Sequence, residues 1–406
     1  MTLLTMQRSR PKGCGDPICA CGTGRLDSRV HHHSMRIALV ITELYPGGAE
    51  RCLTNLAIYL RRSGHAPHVV SLWSLPPASR RQLVDMLLTE GIEVESIAWD
   101  YSWQTPAALR RLRRRLSELQ PDITQSFLFH ANVACAWACR GLHTQLVGGA
   151  RVVQPNRWRR LLQRWASGRM QRLVCVSQDV AESCHRTERI PQEKLTVIPN
   201  GIAVDRSALP QVRWEAFGLP KSARVILYVG RLDSQKGLLE FMERADSILS
   251  LLPDHHLVLM GEGPLADALQ HRMTAAQHRD HMHLVGWHPD AIAWMQAAEM
   301  LILPAKYEGM PNVVLEAMAV ARPVVCFHVE GIRELLGDAA GAELQTVPAG
   351  DYDSFARSVV RIASDPGLQR ELGEANLHRI DSRFSLATHM QSYVDTYTHL
   401  LQGSSQ

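Results

Sequence analysis

The 406-residue sequence contains no run of about 18 apolar residues, and its richest apolar stretch is interrupted at Arg140. A helix that crosses a bilayer needs about 20 predominantly apolar residues, so the sequence predicts no membrane span. No apolar segment of the secretory type precedes the folded part, and the nine cysteines are scattered, apart from three within residues 1–34. This usage of cysteine predicts a protein of the reducing cytoplasm rather than a disulfide framework.

Two ligand-binding motifs are also missing. No Gly-x-Gly-x-x-Gly follows the first predicted strand, which argues against a dinucleotide dehydrogenase. No Asp-x-Asp triad of the metal-binding kind lies near the end of a predicted strand, because Asp351-Tyr352-Asp353 opens a predicted helix, where an aspartate is expected to act as a cap. The hydrophobic content of 46% excludes general disorder, and the length allows two domains of ordinary size.

Charge is distributed unevenly around the net value of +4. Residues 35–205 carry 22 Lys and Arg against 14 Asp and Glu, whereas residues 206–406 carry 17 against 24. Two predicted amphipathic helices rich in Arg, at 109–116 and 157–165, contribute much of the positive charge of the first half. An anionic lipid surface and a simply solvated charged face both account for this pattern, and we expect no nucleic-acid partner.

From Met35 onwards, short β-branched runs alternate with longer helical ones. This alternation indicates βαβ units and parallel sheets covered on both faces. The predicted N-terminal domain spans 35–200, with a final amphipathic helix at 384–401 assigned to it, and the predicted C-terminal domain spans 201–383. The fold class is therefore α/β, with two Rossmann-like, doubly wound sheets. Because such sheets bind ligands at their carboxyl ends, we expect the site in a cleft between the domains.

Residues 1–34 are rich in Gly and Arg and show no apolar periodicity. We expect a disordered extension that lies upstream of a natural start at Met35. The competing interpretation is a metal cluster formed by Cys19, Cys21 and the histidines at 31–33.

The most informative stretch contains Glu308 and Glu316, separated by seven residues across the start of a predicted helix. Eight residues along one helix would separate two carboxylates by about 12 Å, which exceeds the spacing used in glycoside hydrolysis. The first turn between them exposes backbone amides that suit a phosphate. The glutamates then serve as acceptors for hydroxyl groups on either side of that phosphate. A nucleoside diphosphate sugar offers this pattern of ribose, two phosphates and sugar.

A loop directly after a predicted strand supplies the cations that such a ligand requires. Gly230 and Arg231 begin this loop, and Lys236 ends it. The Arg231 guanidinium can bind two phosphate oxygens, and Lys236 adds a mobile point charge. Because negative charge develops on a leaving diphosphate, fixed cations there stabilise the transition state more than the ground state. A surface loop with solvated Arg and Lys is the competing interpretation.

These residues resemble the retaining GT-B glycosyltransferases of family four, also called glycosyl transferases group 1. The resemblance covers nearly all of residues 35–401. The family's paired glutamates match Glu308 and Glu316, and its diphosphate loop matches Gly230-Arg231 and Lys236-Gly237. Four further family segments have counterparts here: the glycine-rich loop at 47–51, the histidine-bearing segment at 126–132, the inter-domain turn at 200–201 and the loop at 261–264.

The resemblance implies that Glu308 contacts hydroxyls of the transferred sugar and Glu316 the ribose, while Arg231 and Lys236 hold the diphosphate. His130 is expected to hydrogen-bond the donor sugar beside the reacting carbon. The other expected donor-binding residues lie in three loops: Gly47, Gly48, Gly230, Gly309, Met310, Pro311, Asn312 and Val313. An ordinary turn at Gly47-Gly48 and a core histidine at position 130 are the competing interpretations.

The resemblance implies that the N-terminal domain binds the acceptor and the C-terminal domain binds the nucleotide-sugar donor. The expected function is transfer of a sugar by an enzyme of the hexosyltransferase type, with retention and without a cofactor or a metal, onto a glycan or lipid-linked acceptor. The family further implies cell-surface polysaccharide or glycolipid biosynthesis, in the cytoplasm or on the inner leaflet of the cell membrane. Two alternatives stay open: a nucleotide-sugar 2-epimerase, and a catalytically silent protein that binds a nucleotide sugar.

Overall fold

A computed structural model describes residues 34–154, 156–337 and 339–403. The predicted N-terminal extension, except Ser34, lies outside the described residues, and so does the metal cluster considered for Cys19, Cys21 and the histidines at 31–33.

Seven strands form the first sheet, and every pair of neighbours is parallel. Their bounds are Arg36–Ile41 (β1), Ala66–Ser71 (β2), Glu93–Ser96 (β3), Ile123–Phe127 (β4), Gln145–Ala150 (β5), Arg172–Cys175 (β6) and Leu195–Val197 (β7). The spatial order is β3-β2-β1-β4-β5-β6-β7. The order reverses between β1 and β4, which is the position where open α/β sheets bind ligands.

Six longer helices connect these strands. They are Gly48–Arg62 (α1), Gln82–Thr89 (α2), Thr105–Leu119 (α3), Leu128–Ala138 (α4), Arg157–Ser167 (α5) and Gln178–Glu188 (α6). Local capping explains where some of them begin. The Asn156 side chain accepts a hydrogen bond from the Trp158 amide at the start of α5, and the Ser177 hydroxyl accepts one from the Val180 amide at the start of α6.

The second sheet has six strands, again all parallel. Their bounds are Arg224–Val229 (β8), His255–Met260 (β9), Met282–Gly286 (β10), Met300–Leu303 (β11), Val324–Phe327 (β12) and Thr346–Val347 (β13). The order β10-β9-β8-β11-β12-β13 is that of the dinucleotide-binding folds. The prediction of two Rossmann-like parallel sheets is therefore confirmed. The short edge strands β7 and β13 are absent from the sequence-based prediction.

Nine helices of the described residues follow β8. They are Leu238–Leu251 (α7), Ala266–Ala275 (α8), Ala291–Ala297 (α9), Asn312–Ala319 (α10), Ile332–Leu336 (α11), Ala342–Gln345 (α12), Tyr352–Ala363 (α13), Pro366–Arg383 (α14) and Leu386–Gly403 (α15). Helix α14 is not predicted from the sequence, because few of its side chains are apolar. It begins at a capping Asp365, whose carboxylate accepts hydrogen bonds from the amides of Gly367 and Leu368.

The last helix returns to the first half of the chain. Its Tyr393 and Tyr397 side chains are buried among residues of β1 and α1, and the Tyr397 hydroxyl donates to Gln125 Oε1 at 3.0 Å. Two connecting segments, around residues 202 and 384–386, link the halves and run side by side. The Ile202 amide donates to the Phe384 carbonyl at 2.9 Å, and the Leu386 amide donates to the Ile202 carbonyl at 3.2 Å. Two hydrogen bonds therefore join the two segments at the place where the chain passes between the halves.

Candidate active site

Loops that follow strands of the two sheets contact each other. Asn312, at the start of α10, donates from Nδ2 to the carbonyl of Gly48 in the first turn of α1 at 3.2 Å. The same side chain accepts a hydrogen bond from Asn200 Nδ2 at 2.5 Å. Asn312 thus links the second half to both the first half and the turn between them. A side chain at Gly48 would collide with it, since a Cβ there would lie 2.9 Å from Asn312 Nδ2.

Gly309 marks a second close approach between the halves. A Cβ at this position would lie 2.0 Å from the carbonyl oxygen of Arg151, which directly follows β5. Arg151 in turn donates from its guanidinium to Asn200. Next in the chain, Met310 is buried and its sulfur accepts from the Asn200 amide at 3.2 Å. The glycine is therefore required by contact with backbone rather than by an unusual φ angle.

Glu308 and Lys236 form a buried ion pair at the end of the second sheet. The Lys236 Nζ lies 2.5 Å from Glu308 Oε1, and the two side chains are 14% and 10% exposed. The Glu308 amide donates to the Glu330 carboxylate at 3.1 Å. Lys236 is thus held against Glu308. A carboxylate and an ammonium fixed side by side can bind a hydroxyl group and a phosphate oxygen of one ligand.

Glu316 lies in the middle of α10 and is also buried. Burial raises the pKa of its carboxyl group, while Arg51 on α1 opposes that rise. The two side chains approach to 3.9 Å, which connects the second glutamate to the helix of the opposite half. Pro311 precedes α10 as its N-cap residue rather than lying in its first turn, and Val313 is partly buried against the core.

Arg231 is an exposed cation at the end of β8 and lines a cavity of the first half. Its side chain is 75% exposed, and Nε lies 3.5 Å from Asp233 Oδ2. Gly230, the residue before it, continues β8 by donating to the Met260 carbonyl at 3.0 Å. On the opposite side, burial raises the pKa of Glu43, and the charge of Arg231 partly offsets this rise. A guanidinium that is mostly exposed, with only one ion-pair contact at 3.5 Å, keeps donors free for a multiply charged anion.

Gly47 is the N-cap residue of α1, and its backbone is extended. The Glu50 carboxylate folds back over it, so that a Cβ at Gly47 would lie 2.3 Å from Glu50 Oε2. Burial raises the pKa of Glu50 to about 7, and the neighbouring Glu43 adds to the rise, while its own backbone amide, Arg151 and Arg231 oppose it. A side chain at Gly47 would therefore require the Glu50 carboxylate to move.

His130 lies in the first turn of α4, beside two other rings. Its centroid is 6.0 Å from that of Trp73 and 5.3 Å from that of Phe129. Burial and the Arg159 charge lower the pKa of His130, which favours the neutral imidazole. The preceding Leu128 has a φ of +73°, a conformation that bulky residues rarely adopt. This strained turn allows α4 to begin directly after β4 and places His130 at the sheet end.

A cavity of about 260 Å³ opens at the carboxyl ends of β1, β4 and β5. His130 and Arg231 both line it, so the cavity connects the histidine of the first half with the cation of the second. Its other lining residues all belong to the first half. Among them are Glu43, Arg151 and Glu188, which are not predicted as site residues from the sequence.

The position of each residue relative to the predicted strands explains whether the sequence could have identified it as a site residue. Glu43 and Arg151 closely follow strands, and polar residues at that position are candidates in any parallel sheet. Glu188 has no such signal, since it ends an ordinary helix. Arg51, which approaches Glu316, reads equally well as a surface residue of α1.

Among the described residues, no group of three or more His, Cys, Asp or Glu side chains is placed to hold a metal ion. None of their helices combines the length and the apolarity that crossing a bilayer requires.

Two family descriptions match this chain over most of its length. "Glycosyltransferase Family 4" matches residues 46–206, and "Glycosyl transferases group 1" matches residues 223–365. The chain belongs to this family of glycosyltransferases. The resemblance that rests on the paired glutamates and the diphosphate loop is thereby confirmed.

Curated relatives align over different shares of their length. An Escherichia coli UDP-Gal:alpha-D-GlcNAc-diphosphoundecaprenol alpha-1,3-galactosyltransferase is 27% identical over 237 residues, which cover 57% of this chain and 60% of that protein. A phosphatidyl-myo-inositol mannosyltransferase of Mycobacterium leprae is 26% identical over 346 residues, covering 81% and 87%. For several other relatives, the chain spans about half of their length.

Solved structures share the fold. That of Anabaena HepE in complex with UDP and glucose has a TM-score of 0.78 at 18% identity, and covers 90% of this chain and 100% of its own. The two-sheet architecture is therefore the GT-B fold.

Proposed function

We propose that this protein transfers a hexose from a nucleoside diphosphate sugar onto a hydroxyl group of an acceptor, with retention of the anomeric configuration. The observation that carries the proposal is the arrangement at the second sheet. A largely buried Lys236–Glu308 pair and a buried Glu316 flank the first turn of α10, and Arg231, which follows β8, lines the cavity that His130 also lines. Family membership supports transfer over 2-epimerisation.

The donor lies across the second half in this proposal. Glu316 accepts hydrogen bonds from the ribose, and Lys236 and Arg231 bind the diphosphate. Glu308 accepts from hydroxyls of the hexose, and His130 contacts the same sugar from the first half. The amides of 309–313 and the glycines at 47 and 48 let backbone approach the ligand from both sides. Gly230 leaves the entrance to the diphosphate loop free of a side chain.

The reaction proceeds on one face of the sugar. The bond between the anomeric carbon and the diphosphate oxygen breaks, and a bond from the acceptor oxygen to that carbon forms on the same side. The acceptor proton passes to the departing phosphate oxygen, which leaves as nucleoside diphosphate. Two fixed cations stabilise the negative charge that develops on this oxygen. The proposal includes no cofactor and no metal ion, because Lys236 and Arg231 supply the required charge.

Thermal stabilisation by nucleotides tests the donor site. The panel contains UDP, GDP, ADP and their common sugar conjugates, applied to the full chain and to Glu316→Ala. A ligand at a hundred times its Kd adds about 2.7 kcal/mol to the free energy of unfolding. We expect one base to stabilise the wild type and to lose most of this effect in Glu316→Ala.

The matched control is Glu374→Ala, which changes an exposed glutamate of the second half. It should respond to the same nucleotide as the wild type does. Binding that is equal in all three proteins would place the nucleotide elsewhere, and the absence of binding at millimolar concentration would leave the proposal without a donor. Binding without any sugar transfer to acceptors would favour the silent-binding alternative.

The acceptor belongs, in this proposal, to a cell-surface polysaccharide or glycolipid. The E. coli relative acts on a diphosphoundecaprenol-linked sugar and the M. leprae relative on phosphatidyl-myo-inositol, as their names state. Both acceptors combine a hydroxyl-bearing ring with a lipid. A lipid-linked acceptor places the enzyme on the cytoplasmic face of a membrane.

The two basic helices of the first half differ in what they present to solvent. On α3, Leu112 and Leu116 are buried, and Arg115 pairs with Glu95 and Glu118. This helix has the features of a solvated charged face packed through its leucines.

Helix α5 has an exposed apolar side instead. Trp158 is 75% exposed, Leu161 55% and Leu162 47%, and arginines precede, separate and follow them. We therefore propose α5 as the segment that lies on anionic lipid.

Vesicle sedimentation tests this surface. Vesicles of phosphatidylglycerol and phosphatidylcholine should retain the wild-type protein at low salt, and pure phosphatidylcholine should not. The double variant Leu161→Ser/Leu162→Ser should lose retention. A matched change on α3, Arg114→Ser, should lower retention little. Equal loss in both variants would indicate a diffuse charge effect and would remove α5 as the contact.

A further inference from the structure

We propose that Glu188 is a specificity-determining residue for the acceptor. Its carboxylate accepts a hydrogen bond from a hydroxyl group of a sugar or cyclitol ring that occupies the cavity of the first half. This inference rests on the proposed function, because it assigns the cavity to the acceptor of that reaction.

The first step is the position of the cavity relative to the donor site. All of its lining residues except Arg231 come from the first half, whereas the paired glutamates and Lys236 belong to the second. His130 and Arg231 lie where the two regions meet. A ligand in the cavity therefore approaches the transferred sugar from the side opposite to the nucleotide-binding residues.

The second step is the set of unpaired polar atoms around the cavity. Thr42 Oγ1, Gln154 Oε1 and Glu188 Oε2 are buried and have no hydrogen-bond partner. All three residues line this cavity. Buried polar atoms nearly always have a hydrogen-bond partner. Three unpaired oxygen atoms around one cavity therefore indicate a ligand that forms hydrogen bonds with them.

The third step is the chemistry of that ligand. Amide and carboxylate oxygens are acceptors only, so the ligand must bring hydrogen-bond donors to Gln154 and Glu188. The Glu188 side chain belongs to a residue that is only 4% exposed, which makes an unpaired charge there costly. Hydroxyl groups on a ring supply several donors in fixed directions without adding charge. The cavity volume of about 260 Å³ leaves room for one such ring.

The wall of the cavity adds an apolar surface. Trp73 and Phe129 line it together with His130, and the Arg159 guanidinium lies 5.4 Å from the Phe129 ring. Rings of this kind pack against the C–H face of a sugar while the polar wall binds its hydroxyls. An acyl chain, in contrast, would leave Glu188 and Gln154 unpaired.

The opposite wall is already satisfied and rigid. Asn132 donates from Nδ2 to the Gly149 carbonyl at 2.9 Å and to Gln163 Oε1 at 3.1 Å. Gln163 donates in turn to the Ser167 hydroxyl at 3.2 Å. Because these groups are committed to one another, the unpaired Oε2 of Glu188 is the carboxylate oxygen of the lining that is both buried and open to a hydrogen bond from a ligand.

Saturation-transfer NMR on the full chain tests the inference. The probes are free monosaccharides (glucose, galactose, mannose and N-acetylglucosamine) and myo-inositol, titrated into the wild type, Glu188→Gln and Glu188→Leu. We expect at least one probe to bind with millimolar Kd. In Glu188→Leu its Kd should rise roughly tenfold or more, which corresponds to one lost hydrogen bond to a charged group. Glu188→Gln, which keeps an acceptor oxygen, should show a smaller rise.

Two controls separate this inference from the proposed function. Glu182→Leu changes an exposed glutamate of the same helix and should bind the probe as the wild type does. Nucleotide stabilisation should persist in both Glu188 variants, which shows that they are folded and keep the donor site. A probe affinity in Glu188→Leu within twofold of wild type would overturn the role of Glu188. If nucleotides bind but no ring probe does, the inference fails while the donor site stands. If neither binds, both fail.

Discussion

Replacing Glu188 by Gln should stabilise the protein, and the gain should depend on pH. Burial raises the pKa of Glu188 from 4.5 to about 7, and the Cys184 thiol and the Arg160 charge offset only part of that rise. A carboxyl group whose pKa is higher in the folded protein destabilises the fold once it ionises. The wild type therefore loses stability as pH rises from about 4.5, where the unfolded chain begins to ionise, to about 7.

The magnitude follows from the size of the pKa difference. Each pKa unit corresponds to 1.36 kcal/mol, so the ionised Glu188 costs about 3 kcal/mol of folding free energy above pH 7. Gln has nearly the same shape and no charge. Glu188→Gln should thus gain up to about 3 kcal/mol at pH 8, or roughly 4 °C in melting temperature for a chain of this length. At pH 5 the gain should fall below about 1 kcal/mol.

The assay is unfolding in urea, followed by circular dichroism at several pH values between 5 and 8. Glu50 ionises in the same range, but its contribution is common to both proteins and cancels in their difference. Glu182→Gln, whose side chain is 54% exposed, serves as the control and should show no pH-dependent gain. A Glu188→Gln variant that is no more stable than the wild type at pH 8 would refute the claim that this carboxylate is buried without adequate partners.

Three further predictions concern the cleft and the whole protein. Gly309→Ala places a Cβ against the Arg151 carbonyl and should lower the rate of sugar transfer at least about tenfold, while calorimetry should still detect nucleotide binding. An unchanged transfer rate would show that the active state does not need the close contact between Gly309 and Arg151. Lys236→Ala leaves the buried Glu308 carboxylate without its partner and should lower the free energy of unfolding by about 3 kcal/mol or more. In thermal unfolding, the double variant Lys236→Ala/Glu308→Ala should recover part of this loss, and additive losses would argue against the pair. The wild-type free energy of unfolding should fall between pH 4.5 and 7, because the pKa values of Glu50 and Glu188 are both about 7; a flat urea profile would contradict this.

Much of the fold could be predicted because its signals are local. A buried parallel strand reads as a short β-branched run, and the helix after it as an amphipathic stretch, so both series of βαβ units were visible without any contact information. The elements that were missed lack such signals. Strand β13 has only two residues, and α14 has few apolar side chains. Their conformations depend on neighbours that lie elsewhere in the chain.

The candidate site divides in the same way. Glu308, Glu316, Arg231 and Lys236 could be proposed because they lie in short segments at strand ends, where side-chain chemistry and spacing can be read together. The ion pair between Lys236 and Glu308 could not, since 72 residues separate the two.

Three properties of the site were decided by tertiary structure alone. Asn312 meets Gly48 across 264 residues of sequence, and Gly309 meets Arg151 only because two separately folded sheets face each other. The pKa of Glu188 and its place in a cavity depend on what surrounds the end of α6. The sequence by itself determined which segments form strands, helices and polar loops, because those choices depend on residues a few positions apart. Packing between distant segments decides which loops come together and which polar groups stay unpaired between them. Local sequence patterns do not contain this information.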